Sequence, residues 1–192
     1  QAPRSVAPSR LVEEDGEDFA PASLSPLSPG GEARFRRGAV IHKLLQTLPD
    51  IEPDRRQESA RRYLQSRQDL EPWQRDEILA ETLGVLSDSR FAPIFGPGSR
   101  AEVAITGSAP GLPPGVTLNG QIDRLVVTER DVLIIDYKTN RPPPAQPEEV
   151  APVYLGQMAA YRALLKALHP GKPVHCALLW TDGPRLMALP DT

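Results

Sequence analysis

The chain has 192 residues, of which 40% are hydrophobic and 24% charged, an ordinary balance for one folded domain with a real core and room for a tail. Its net charge of −3 argues against a protein that finds nucleic acid through a generally basic surface. The single cysteine, Cys176, excludes an internal disulfide framework and a Cys-ligated zinc or iron–sulfur site.

Proline is the compositional outlier: 22 residues, about twice its usual share of roughly 5%. It clusters at residues 1–30, around 93–97, at 109–114 and at 142–152, which read as linkers and loops. Residues 1–33 are rich in Pro, Ser, Gly, Asp and Glu and are expected to be a linker or an extended arm from something upstream. The start, Gln1-Ala2-Pro3-Arg4, has neither Met nor the apolar run of a signal peptide. The reading is of a segment of a longer polypeptide in a cytoplasmic setting, with residues 34–192 as the folded domain. No apolar run approaches the roughly 18 residues of a membrane span.

Ile41, Leu44, Leu45 and Leu48 recur at helical spacing and predict an amphipathic helix over 36–48, ended by Pro49. A second helix is predicted over 54–68, with Asp54 as its cap, and a third from Pro72 to about Asp88. The Pro/Gly-rich stretch 91–98 then breaks direction. Strands follow at 101–106, 117–128 and 132–137, with a Gly/Pro loop at 107–115. A helix over 154–168 stops at His169-Pro170-Gly171, and two strands, 174–180 and 185–189, close the chain. The order predicts an α/β domain with a small mixed central sheet flanked by helices and extra N-terminal helices.

The informative stretch is Gly120-Gln121-Ile122-Asp123-Arg124 followed by Ile134-Ile135-Asp136-Tyr137-Lys138-Thr139. A hairpin with its tight turn at Glu129-Arg130 sets Thr128 opposite Asp131, Leu125 opposite Ile134 and Asp123 opposite Asp136. Lys138, two residues on, emerges on the face of Asp136. Paired carboxylates repel unless something neutralises them, and a hard divalent cation does so well. An adjacent ammonium can hold a phosphate oxygen or position an attacking water, so metal-assisted phosphodiester hydrolysis has its parts together. Surface ion pairs are the bland alternative. They fit poorly after Val132-Leu133-Ile134-Ile135, the run of a buried strand, where idle charges are costly.

The ordered set Gly120-x-Ile122-Asp123, Asp136-x-Lys138-Thr139 and Gln157-x-x-x-Tyr161 resembles the RecB-like branch of the PD-(D/E)XK nucleases, over roughly residues 36–190. Within that branch it is most similar to the C-terminal nuclease domains of bacterial AddA-type helicase–nucleases. The resemblance implies a restriction-endonuclease-like core and Mg²⁺ or Mn²⁺ held by His42, Asp123, Asp136 and the Tyr137 carbonyl. Asp123, Asp136 and Lys138 would be catalytic, with Gln157 and Tyr161 facing substrate. It also implies DNA as partner, an upstream helicase domain of the same polypeptide, an AddB-like partner subunit, and a role in processing double-strand breaks for recombination in bacteria, near the nucleoid. Ile122 stands where the superfamily name has Pro. There is no Gly-x-x-x-x-Gly-Lys-Ser/Thr, so this segment is not expected to bind ATP.

Two other functional readings stay open on the residues. The acidic balance suits a non-catalytic module that binds DNA ends or a partner through the same fold, and a phosphohydrolase of small esters is a third class. Glu102 reads as either a supporting acid or an exposed strand carboxylate. Trp73 and Trp180 read as packing residues rather than base-stacking platforms, His169 as ending a helix and His175 as a strand residue.

Overall fold

Apolar side chains at helical spacing and β-branched runs sort this chain into helices on both sides of one sheet. The computed structural model describes residues 4–7, 31–108 and 115–190. Helix α1 spans Gly31–Thr47, α2 Pro53–Ser66 and α3 Pro72–Ser87. After a 3-10 segment, Ser89–Phe95, come strands β2 (Ser99–Gly107), β3 (Val116–Val127) and β4 (Val132–Lys138). Helix α4 (Pro152–Leu168) and strands β5 (Val174–Trp180) and β6 (Arg185–Ala188) follow. A short β1, Arg4–Val6, precedes them all.

Most boundaries fall within a few residues of expectation. Helix α1 starts five residues early and runs into a 3-10 turn at Leu48–Asp50 that contains Pro49. Asp54 is not the cap of α2, because Pro53 already opens the helix and Glu52 precedes it. Asp54 sits in the first turn, where its charge favours the helix N-terminus. Of the expected arm, residues 1–3 and 8–30 lie outside the described set, as does most of the 107–115 loop. Where the arm is described, Arg4–Val6 pairs in parallel with Val116–Leu118 of β3.

The hairpin keeps the expected register from Arg124 opposite Ile135 to Val127 opposite Val132, but the ladder stops short of the expected Asp123–Asp136 pair. Leu125 faces Ile134 and Val127 faces Val132. Thr128 N–H donates to the Asp131 carbonyl at 3.0 Å. A Glu129-Arg130 turn lacks Asn-Gly chemistry, and Thr128 compensates: its hydroxyl accepts the N–H groups of Arg130 and Asp131 at 3.1 and 3.0 Å. Strands β4 and β5 are parallel and β6 runs antiparallel to β5. The parallel pair is joined through α4, as such a crossover requires.

The sheet has a notch. Leu118 pairs with both Val6 and Gly107, and Arg124 with both Ala101 and Ile135. Hence β1 and β4 share one edge of β3, while β2 takes the other. Between β1 and β4, no strand among the described residues covers that edge at 119–123. Backbone groups left there still need partners, and Tyr161 of α4 supplies them: its hydroxyl donates to the Gln121 carbonyl at 2.9 Å and accepts the Gln121 N–H at 3.2 Å. Gly120 allows the approach, since a Cβ there would lie 2.7 Å from the Tyr161 ring.

Two cores flank the sheet. Helices α1–α3 pack Val40, Ile41, Leu44, Leu45, Leu64 and Ile78 against Val126, Ile135, Tyr137 and Leu179. On the other face α4 packs Met158, Tyr161, Leu164 and Leu165 against Leu118, Ile122, Leu125, Ile134 and Leu178. Trp180 is buried there as expected, whereas Trp73 is 64% exposed on the first turn of α3. Its position on a helix face that meets neither core explains the departure.

Candidate active site

Asp123 stands at the margin of the notch, where β3 kinks. Ile122 and Leu125 both join the α4-side core, an odd spacing that plain alternation forbids. The paired registers on either side pass over Asp123: β2 pairs Ala101 and Val103 but not Glu102, and the β3–β4 ladder ends at Arg124 and Ile135. Glu102 is the one described non-glycine residue with a positive φ, at 52°, a conformation that L side chains adopt at some cost.

The kink frees the Asp123 carboxylate from the ladder. Its Oδ2 accepts the Tyr137 N–H at 2.7 Å, and Oδ1 lies 3.3 Å from His42 Nδ1. His42 comes from the middle of α1 and stacks edge-on to Tyr137, with ring centroids 5.6 Å apart. Burial pulls the imidazole towards its neutral form, but the hydrogen bond and charge of Asp123 outweigh this and raise its pKa above the ordinary value.

Asp136 and Lys138 sit on the α4 side. Asp136 is buried, and Lys138 Nζ lies 2.5 Å from its Oδ2. Burial lifts the Asp136 carboxyl above its ordinary range; Lys138 offsets part of this, while the charge of Asp123 adds to it. Burial works against the Lys138 ammonium too, yet Asp136 more than restores it and holds it protonated. The ammonium also rests 3.7 Å from the centre of the Tyr154 ring. The Tyr154 hydroxyl lies 3.3 Å from Asn140 Oδ1.

The sequence expectations therefore meet in one place, with changes of emphasis. His42, Asp123, Asp136, Tyr137 and Lys138 come together at the end of the hairpin. Gln157 is half-buried, its amide 3.4 Å from the Tyr161 hydroxyl. Tyr161 is only 2% exposed and commits its hydroxyl to Gln121, so it faces the sheet rather than an open substrate surface. Glu102 falls at the gap in the β2–β3 ladder between Ala101 and Val103, and burial with the Asp123 charge raises its carboxyl above the ordinary range. His169 follows the end of α4, and His175 lies exposed on β5. Tyr154 is the residue the motif reading passed over. Its spacing of three from Gln157 and seven from Tyr161 on α4 was the available signal.

Arg124 is no surface ion-pair partner. It is buried on the α1 side, donating to the Tyr137 hydroxyl at 2.7 Å, Ser99 Oγ at 2.9 Å and the Leu45 carbonyl at 2.9 Å. It thereby ties the motif strand to α1, the helix that delivers His42.

Two carboxylates and an imidazole form a donor set whose chemistry fits a hard divalent cation. As placed, their charges are offset within the protein by Lys138 and His42. Among the described residues no three of His, Cys, Asp and Glu converge closely enough to hold an ion. The donors fit in kind, and metal loading would have to redistribute these internal contacts.

No curated protein matches the chain in sequence. Among solved structures, the crystal structure of SSO0001 matches at 17% identity and a TM-score of 0.35, over 82% of this chain and 77% of that one. A likeness of that size carries no argument here. The family model for the PD-(D/E)XK nuclease superfamily matches residues 18–186, nearly the whole chain. With its α/β fold and its Asp123, Asp136 and Lys138 hairpin, the chain belongs to the PD-(D/E)XK nuclease superfamily.

Proposed function

We propose that this domain is a divalent-metal-dependent deoxyribonuclease that hydrolyses phosphodiester bonds in single strands. The observation that carries the reading is the meeting of Asp123, Asp136 and Lys138 at one end of the hairpin, with His42 delivered from a separate helix. Members of the superfamily typically use divalent metals. His42, Asp123, Asp136 and the Tyr137 carbonyl would hold Mg²⁺ or Mn²⁺, which when bound supplies Lewis acidity and activates water.

The chain's own groups do the rest. Lys138, kept protonated beside Asp136, holds a phosphate oxygen and orients the incoming nucleophile. The Tyr154 ring limits where its ammonium can swing. Tyr161 keeps β3 in place behind Asp123, and Gln157 at its edge is the α4 side chain offered to substrate.

We further propose an exonucleolytic role in double-strand break repair and recombination, as in AddA-type helicase–nucleases, with a motor upstream in the same polypeptide and an AddB-like subunit alongside. A net charge of −3 supports dependence on such a motor, because a tethered cutter receives DNA at high local concentration without a basic surface of its own. The setting is the bacterial cytoplasm, near the nucleoid.

The test is Mg²⁺-dependent cleavage of single-stranded DNA by the domain and by its Asp136→Ala and Lys138→Ala variants. Activity in the parent and its loss in both variants is expected, and persistence in either would sink the reading. The one rival is a non-catalytic DNA-end or partner-binding module, which would need no three-donor group, and none has converged among the described residues. Mn²⁺ titration separates them: a nuclease binds the ion and loses affinity in Asp123→Asn, whereas a bare module does not bind it.

A further inference from the structure

Behind the candidate site lies a second charged cluster, built on Glu81 of α3. The Glu81 side chain is 6% exposed and meets Arg37 of α1, Arg141 at 2.5 Å and the Thr181 hydroxyl at 2.5 Å. Arg141 also reaches Glu77 and lies 3.5 Å from Asp182. Buried ion pairs contribute little stability compared with apolar packing, so stability alone is a weak reason for such a cluster.

The partners of Glu81 give a better reason. Thr181 N–H donates to the Lys138 carbonyl at 3.0 Å. Arg37 Nη1 donates to the Thr139 carbonyl at 3.0 Å. Thus two consecutive carbonyls, at and just after the site lysine, are gripped by two groups that Glu81 itself holds. The Thr181 hydroxyl has one proton for two neighbours, and the 2.5 Å contact to the carboxylate takes it over the 3.3 Å contact to Lys138. Gly38 fits the same design: a Cβ there would stand 3.0 Å from Thr139 Oγ1, so the missing side chain lets α1 close onto the strand end.

We infer that Glu81 is a positioning residue: through Thr181 and Arg37 it fixes the main chain of Lys138 and Thr139, and so the aim of the Lys138 ammonium. The inference rests on the nuclease reading for its consequence in catalysis, but the tether is measurable without catalysis. A small misplacement of a positioning group costs a large factor in rate.

The experiment combines hydrogen exchange by mass spectrometry with steady-state cleavage of single-stranded DNA in Mg²⁺. The variants are Thr181→Val, near-isosteric and without the hydroxyl, Thr181→Ser, which restores it, and Glu81→Gln. Thr181→Val should raise exchange about tenfold in peptides covering 136–141 and 178–183, and leave α2 at parent rates. It should lower kcat roughly tenfold with KM unchanged, and Thr181→Ser should recover both. Glu81→Gln should exceed Thr181→Val, because Arg37 also loses its counter-charge and Arg141 loses one of its three acidic partners. Unchanged exchange at 136–141 in Thr181→Val and Glu81→Gln overturns the inference, as does an equal rise across the domain. A parent protein that cleaves nothing defeats the nuclease reading, while the exchange data still decide the tether.

Discussion

Arg124, buried, and Lys138, partly buried, are both cations on the motif strands, on opposite faces of the sheet, and they are treated very differently. Arg124 donates to a phenol, a hydroxyl and a main-chain carbonyl, and stacks 5.0 Å from the Phe95 ring. Lys138 has one carboxylate and the face of Tyr154. The guanidinium's donors are spread over three elements of structure. The ammonium's partners are a carboxylate that a cation could also claim and a ring that asks no hydrogen bond of it. One cation is tied down by hydrogen bonds to three elements, and the other by a single carboxylate and a ring face.

Four substitutions would break or sharpen that contrast. Lys138→Ala should lower Mg²⁺-dependent cleavage of single-stranded DNA on the order of 10²–10³-fold, the range for losing one group that stabilises developing charge. Its urea midpoint should move less than that of the Arg124 variant, and a larger shift would make Lys138 structural. Arg124→Met should cost about 3 kcal/mol in urea unfolding, since the Leu45 carbonyl loses its donor and a buried hydrogen-bonded tether is gone. A loss under about 1 kcal/mol would show that the tether is dispensable. Tyr161→Phe should cost roughly 1–3 kcal/mol by leaving the Gln121 carbonyl and N–H unpaired at the notch. Equal unfolding midpoints for Tyr161→Phe and the parent would mean that water fills that role. Trp73→Ala, at an exposed position, should change stability by no more than about 0.5 kcal/mol.

The hairpin was legible because two local rules agree. Val132-Leu133-Ile134-Ile135 must be buried, and period-two alternation then dictates which side chains meet across a tight turn. Helix α4 was legible from its apolar spacing and its Pro-Gly stop, and α3 from Pro72 and its stripe. Trp73 misled because hydrophobicity alone favours burial, while the face a helix presents to a core depends on what it packs against. Tyr161 misled in a different way. A motif aligns residues without saying whether a hydroxyl points to solvent or to a bare strand edge, and the notch between β1 and β4 exists only once both strands dock on β3.

By itself, then, the sequence determined the α/β order, the β3–β4 register from Arg124 to Ile135 and the placing of Asp136 and Lys138 on one face of β4, since each follows from periodicity over a few neighbouring residues. Only the tertiary structure decided the kink that turns Asp123 towards His42, the burial of Arg124 beneath the motif, and the grip of Glu81 through Thr181 and Arg37. Those contacts join residues from about 40 to 100 positions apart. No local pattern encodes such distances, because they form only when α1 and α3 close over the ends of β4 and β5.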